Sequence, residues 1–101
     1  MTVEFTRSGG FANIPVTVTL DTAAMPVAAA TALESRIAAA DFFNLPSAIG
    51  GGERLRDAHQ YTIAVTTPER QHRVSVSGEV PAVLQPLIDD LVRAARAARG
   101  A

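Results

Sequence analysis

The feature that most constrains this chain is a pattern written twice: two stretches of alternating apolar and polar residues, then a proline, then a helical stripe. In the first half, Val3 and Phe5 alternate with Glu4 and Thr6. After the break at Ser8-Gly9-Gly10, Val16, Val18 and Leu20 alternate with Thr17 and Thr19. A period of two with β-branched residues is that of half-buried strands. The paired glycines suit a turn needing positive φ, and Pro15 stands at the start of the second strand, where a missing N–H is tolerated.

Asp21 or Thr22 then offers a cap for a helix with Pro26 in its first turn. Val27, Ala30, Leu33, Ile37 and Ala40 follow at spacings of three and four, a modest apolar stripe. Pro46 disfavours helical geometry at Leu45, so the helix is expected to end near Phe42 and Phe43. The second half repeats the plan. Tyr61, Ile63 and Val65 alternate with Thr62, Ala64 and Thr66, Pro68 to Gln71 reads as a turn, and Val74 and Val76 mark one face of the returning strand. Pro81 opens a helix carrying Leu84, Leu87, Ile88, Leu91 and Ala95, and Pro86, about a turn further in, shifts its ordered start later.

This pattern predicts an α+β domain spanning 1–101, in ββα-ββα order, with a four-stranded antiparallel sheet and both helices on its apolar face. The opposite face is then rich in hydroxyls, from Thr6, Thr17, Thr19, Thr62, Ser75 and Ser77. At 101 residues, 48% of them apolar, the chain makes one core. It has no cysteine, which excludes disulfides and thiolate metal sites. Between the halves, 44–59 shows no periodicity and holds Gly50-Gly51-Gly52 with mixed charges. A stretch that long in a small domain is commonly functional or mobile.

Chemistry is scarce. His59 and His72 are the two histidines, with no third ligand at useful spacing. Asp89 and Asp90 are neighbours on a helix and diverge by about 100°. The serines have no nucleophile signature, and the triple glycine lacks the Lys and Ser/Thr of a phosphate loop. Arg93, Arg96 and Arg99 recur near a helix C-terminus, where the dipole already favours cations. A net charge of -1 argues against nucleic acid and anionic membranes. Met1-Thr2-Val3-Glu4 does not read as a signal peptide, and no apolar run approaches the ~20 residues of a membrane span, so the expected compartment is the cytoplasm. The residues point to a binding protein without catalysis or cofactor. Its candidate surfaces are the tip Gly9, Gly10, Phe11, Ala12 and Asn13, and the central segment with Leu45, Ile49, Leu55 and His59. Phe11 at a hairpin tip is either an exposed anchor or a side chain folded over the sheet edge.

The order of several short runs resembles the emfourin family, small proteinaceous inhibitors of protealysin-like, thermolysin-type metallopeptidases. The runs are Phe5 to Ile14 with Arg7-Ser8-Gly9-Gly10-Phe11 at its centre, Leu20-Asp21-Thr22, Met25-Pro26, Asp41-Phe42-Phe43-Asn44-Leu45-Pro46, Asp57 to Ile63 and the Leu-rich C-terminal helix. The resemblance implies a non-enzymatic inhibitor whose partner is a zinc peptidase that favours bulky apolar residues just after the scissile bond; the free chain is expected to be a monomer. Phe11, Leu45, Ile49 or Leu55 would suit such a pocket, and a carboxylate, His59 or a backbone carbonyl would suit an approach to the zinc. An alternative reading is an interaction module with a non-protease partner, using the hydroxyl-rich face or a free strand edge. An enzyme with a small-molecule site would need more convergent titratable groups than the chain offers.

Overall fold

A computed structural model describes residues 1–9, 16–50 and 59–100, with residues 9, 59, 99 and 100 described by their backbone alone. The strands are β1 (Thr2–Gly9), β2 (Val16–Asp21), β3 (Ala48–Gly50), β4 (His59–Thr66) and β5 (Gln71–Ser77), and the helices are α1 (Val27–Ala39) and α2 (Gln85–Gly100). They form one mixed sheet in the order β2-β1-β4-β5-β3. The expected antiparallel strands are all present, and β1 and β4, one from each half, lie side by side at its centre.

The expectation of a four-stranded antiparallel sheet is corrected by β3, a fifth strand that runs parallel to β5 and pairs Ala48, Ile49 and Gly50 with Ser75, Val76 and Ser77. Three residues are too few to show a period of two, so this strand left no trace in the pattern. Its last residue explains part of the glycine run. Gly50 has φ of 74°, and a Cβ there would overlap the Ser77 carbonyl oxygen. Only glycine allows β3 to come this close to β5.

The register sorts side chains into rows across the apolar face. Val18, Phe5, Ile63 and Val74 make the middle row, and Leu20, Val3, Val65 and His72 make the next. Val16, Arg7, Tyr61, Val76 and Ile49 make the third. Phe5, Val3, Ile63, Val65, Val74 and Val76 are fully buried. Leu33 and Ile37 of α1, with Leu87, Ile88, Leu91 and Ala95 of α2, join them in one core, so both helices cover this face as expected. Each complete burial of a Phe, Leu or Ile stabilises the fold by roughly 1.5–3 kcal/mol. Thr17 and Thr19 are exposed on the opposite face, and Thr6, Thr62, Ser75 and Ser77 are half-buried there.

The helix boundaries move from their expected places for local reasons. Asp21 caps a short 3-10 turn at Thr22–Ala24 by accepting from the Ala23 N–H, and Pro26 stands just outside α1 instead of within its first turn. Val27 therefore opens the helix and stays in solvent at 82% exposure, while the stripe begins at Ala30 and Leu33. The helix stops at Ala39, short of the phenylalanines. Asp41 takes the left-handed conformation at φ 52°, and its carboxylate accepts from the Asn44 side chain at 2.8 Å. Asp is among the residues that tolerate this geometry. Pro86 falls in the first turn of α2, where no N–H is needed, and a turn at Pro81 to Leu84 precedes it. The helices are tied by Arg36 to Asp90 at 2.8 Å, a surface pair worth at most about 1 kcal/mol.

Replacing Gly50 by Ala is expected to lower unfolding free energy by about 1–3 kcal/mol, through the positive φ and the overlap with β5. Urea unfolding of the variant checks this, and unchanged stability would mean that β3 does not hold its place against β5.

Candidate functional site

The strand ends that flank the two candidate segments lie together. Gly9 closes β1 and pairs with His59, which opens β4. Arg7, two residues before that end, pairs with Val16 at the start of β2. Gly50 closes β3 opposite Ser77, which also pairs with Gln60. Segments 10–15 and 51–58 are thus both attached at one end of the sheet, and Gly9 and His59 are cross-strand neighbours about 5 Å apart at Cα. Gly10, Phe11, Ala12, Asn13 and Leu55 lie outside the described residues, and Gly9 and His59 are placed by their backbone.

The two remaining candidates are core-contacting residues at opposite ends. Ile49 sits beside Val76 in the row nearest the attachment points, half-buried against the core. Leu45 is also half-buried against the core, but at the far end of β5. There its carbonyl oxygen lies 2.7 Å from Nε2 of His72. A carbonyl can only accept, so Nε2 carries the proton of this bond. His72 and Val76 are four residues apart on β5, which separates the two ends by about 13 Å. The structure therefore brings Ile49, but not Leu45, to the segment end.

The His72 bond is part of an aromatic clamp. Phe42, fully buried, meets His72 edge-on at 5.6 Å between ring centres and Phe43 at 5.8 Å. The Arg70 guanidinium lies 4.0 Å from the centre of the Phe43 ring. This clamp fixes where the chain leaves the turn after α1, and so where β3 begins. Ser47 continues it, its carbonyl accepting from the Ser75 N–H at 2.8 Å.

No group of three or more His, Asp or Glu side chains gathers as a metal site among the described residues. His59 and His72 lie at opposite ends of the β4–β5 pair, about 20 Å apart along the strands. Asp90 is held between Arg36 and Arg93, while Asp89 accepts from Gln85, so the adjacent carboxylates diverge as expected. Among the described residues no helix is long and apolar enough to cross a membrane.

Known proteins decide the family. A family model described as Emfourin matches residues 5–92, spanning both halves, all of α1 and the first half of α2. The chain belongs to the Emfourin family. No curated protein matches it, and no solved structure does. The Emfourin family is an inhibitor family, and membership points to a metallopeptidase-inhibitor role. The match begins at Phe5 and contains both attachment points and the clamp.

Sequence reasoning missed two residues at the segment end, Arg7 and Tyr61, which stand side by side on the core-facing side of β1 and β4. The signal was present for Arg7: it continues the odd-numbered apolar series Val3 and Phe5, which puts a cation where a hydrophobe is expected.

Replacing His72 by Phe keeps a ring against Phe42 but orphans the Leu45 carbonyl. The expected loss is about 1–3 kcal/mol of stability in chemical denaturation. A smaller loss than 0.5 kcal/mol, on the order of the weakest net hydrogen bonds, would show that the bond does not hold the clamp.

Proposed function

We propose that this Emfourin-family chain inhibits a protealysin-like, thermolysin-type zinc metallopeptidase, laying the segments attached at Gly9 and His59 across the substrate cleft without being turned over. The observation that carries the reading is the pairing of those two residues on the central strands of the sheet. Each segment starts and ends on a hydrogen-bonded strand, so anchoring is complete before the partner arrives. Such preorganisation lowers the entropy lost on binding. An interface of inhibitor type buries about 800 Å² on each partner. The whole chain exposes 6311 Å², so one end of the sheet can supply that area.

Phe11 is the proposed apolar anchor, flanked by Gly9, Gly10, Ala12 and Asn13. Leu55 and Ile49 stand as the apolar members of the second segment. A backbone carbonyl or His59 is the proposed approach to the peptidase zinc, because the chain has no thiolate to offer. Leu45, tied into the clamp at the other end, is the weakest of the proposed contacts. The chain acts as a binding protein and not an enzyme, as a monomer when free, in the cytoplasm with its peptidase.

A second reading, a module for a non-protease partner, draws on the free edge of β2. The Thr22 N–H donates to the Met1 carbonyl at 2.9 Å, which sets the alternation of the β1–β2 ladder. Val16, Val18 and Leu20 then bond to β1, and Thr17 and Thr19 turn their backbone groups outward. An added strand could pair there.

Titration of the purified chain into a protealysin-like peptidase is expected to abolish peptide hydrolysis at a one-to-one ratio. Full activity at molar excess would reject the inhibitor reading. Phe11→Ala is expected to weaken inhibition by about 1 kcal/mol or more. Equal inhibition by that variant would remove Phe11 from the interface.

A further inference from the structure

Beside the attachment points, an open cleft of about 340 Å³ lies between the sheet and α2, lined by Arg7, Tyr61, Gln85, Asp89, Arg93 and Arg96 among others. Among the described residues three arginines line it with one aspartate, a surplus of two positive charges in a chain whose net charge is -1. The charge is therefore concentrated locally and is not a by-product of a basic protein. Asp89 already accepts from the Gln85 side chain at 2.9 Å.

The arginines are underused by the fold. Arg7 is half-buried, and its side chain makes no hydrogen bond or ion pair with a described residue. It occupies a core-facing position whose neighbours two and four residues back, Phe5 and Val3, are fully buried. A partly buried cation with no ion-pair partner among the described residues costs free energy that an apolar residue there would not. Among the described residues Arg93 has a single partner, Asp90, whose other oxygen is taken by Arg36. With its side chain 76% exposed, that pair holds the guanidinium only weakly. Arg96 lies one turn further along α2 on the same side and is unpaired among the described residues.

The geometry points to a carboxylate-binding site: Arg7 from β1 and Arg93 and Arg96 from α2 receive an acidic side chain of the protein partner. This rests on the inhibitor reading and deepens it, because Arg7 lies two residues before Gly9, and Tyr61 two after His59, so the site adjoins the end that carries both segments. Guanidinium groups match a carboxylate through paired N–H donors. A single carboxylate offsets one of the two surplus charges, and Asp90 stands beside the site. A polyphosphate backbone would meet both acids. The site adds an ionic contact next to an apolar one, which sets partner choice and speeds encounter.

The test measures inhibition of a protealysin-like peptidase by the wild-type chain, R7Q/R96Q and R93Q/R96Q, at low and high salt, with thermal melts of each. The site predicts that both variants inhibit at least about ten-fold more weakly at low salt and that their salt dependence flattens. Should R7Q/R96Q fail to fold, R93Q/R96Q, altered only on the exposed side of α2, decides alone. Wild-type inhibition that both variants match, with the same salt dependence, overturns the site and leaves the inhibitor reading standing. Failure of the wild-type chain itself rejects that reading, and the site with it. A DNA duplex bound by the wild-type chain and released by these substitutions would also overturn the proposal, in favour of a phosphate ligand.

Discussion

The antiparallel ladder between β1 and β4 is the constraint on which everything else depends. It joins the two halves of the chain and sits at the centre of the sheet. Because side chains alternate along a strand, a one-residue slip would carry Val3, Phe5, Ile63 and Val65 to the hydroxyl-rich face and bring Glu4 and Thr62 into the core. The same ladder sets Gly9 against His59 and Arg7 against Tyr61. The register that protects the core therefore also positions the end of the molecule from which both candidate segments depart.

Much of this was legible in the residues, and the exceptions have physical causes. The alternation at Val16, Val18 and Leu20 and at Ile63 and Val65 gave four strands and their buried face, because period and burial are two views of one property. Leu84, Leu87, Ile88, Leu91 and Ala95 marked the buried side of α2 for the same reason. Strand β3 escaped notice because three residues carry no period, and its evidence is a backbone contact at Gly50 that no side-chain pattern records. Likewise, His72 sits in an apolar row but is held by a carbonyl 27 positions away. Sequence marked it only as a strand-end histidine. Leu45 drew attention as an exposed apolar candidate, and its packing against the core follows from that same long-range bond.

The halves are alike in plan yet unlike in what they leave free. The strands, the two helices and the Phe42–His72 clamp form a frame whose apolar side chains are nearly all committed to the core. The uncommitted chemistry gathers at one end: the arginine cleft, the paired ends of β1 and β4, and the tight close of β3. An inhibitor needs such a division, since a frame that deformed on binding would lose affinity to ordering costs. Family membership points to the class of partner, and the sheet register is the ground for proposing which end of the molecule meets it.

Hydrogen exchange of the chain alone and bound to a protealysin-like peptidase tests that assignment most directly. Slowed exchange is predicted in peptides spanning 9–16 and 50–61, with the exposed side of α1 and the backbone of Thr17 and Thr19 unchanged. Protection confined to α1 or to the free edge of β2 would contradict it and place the interface on the other side of the molecule.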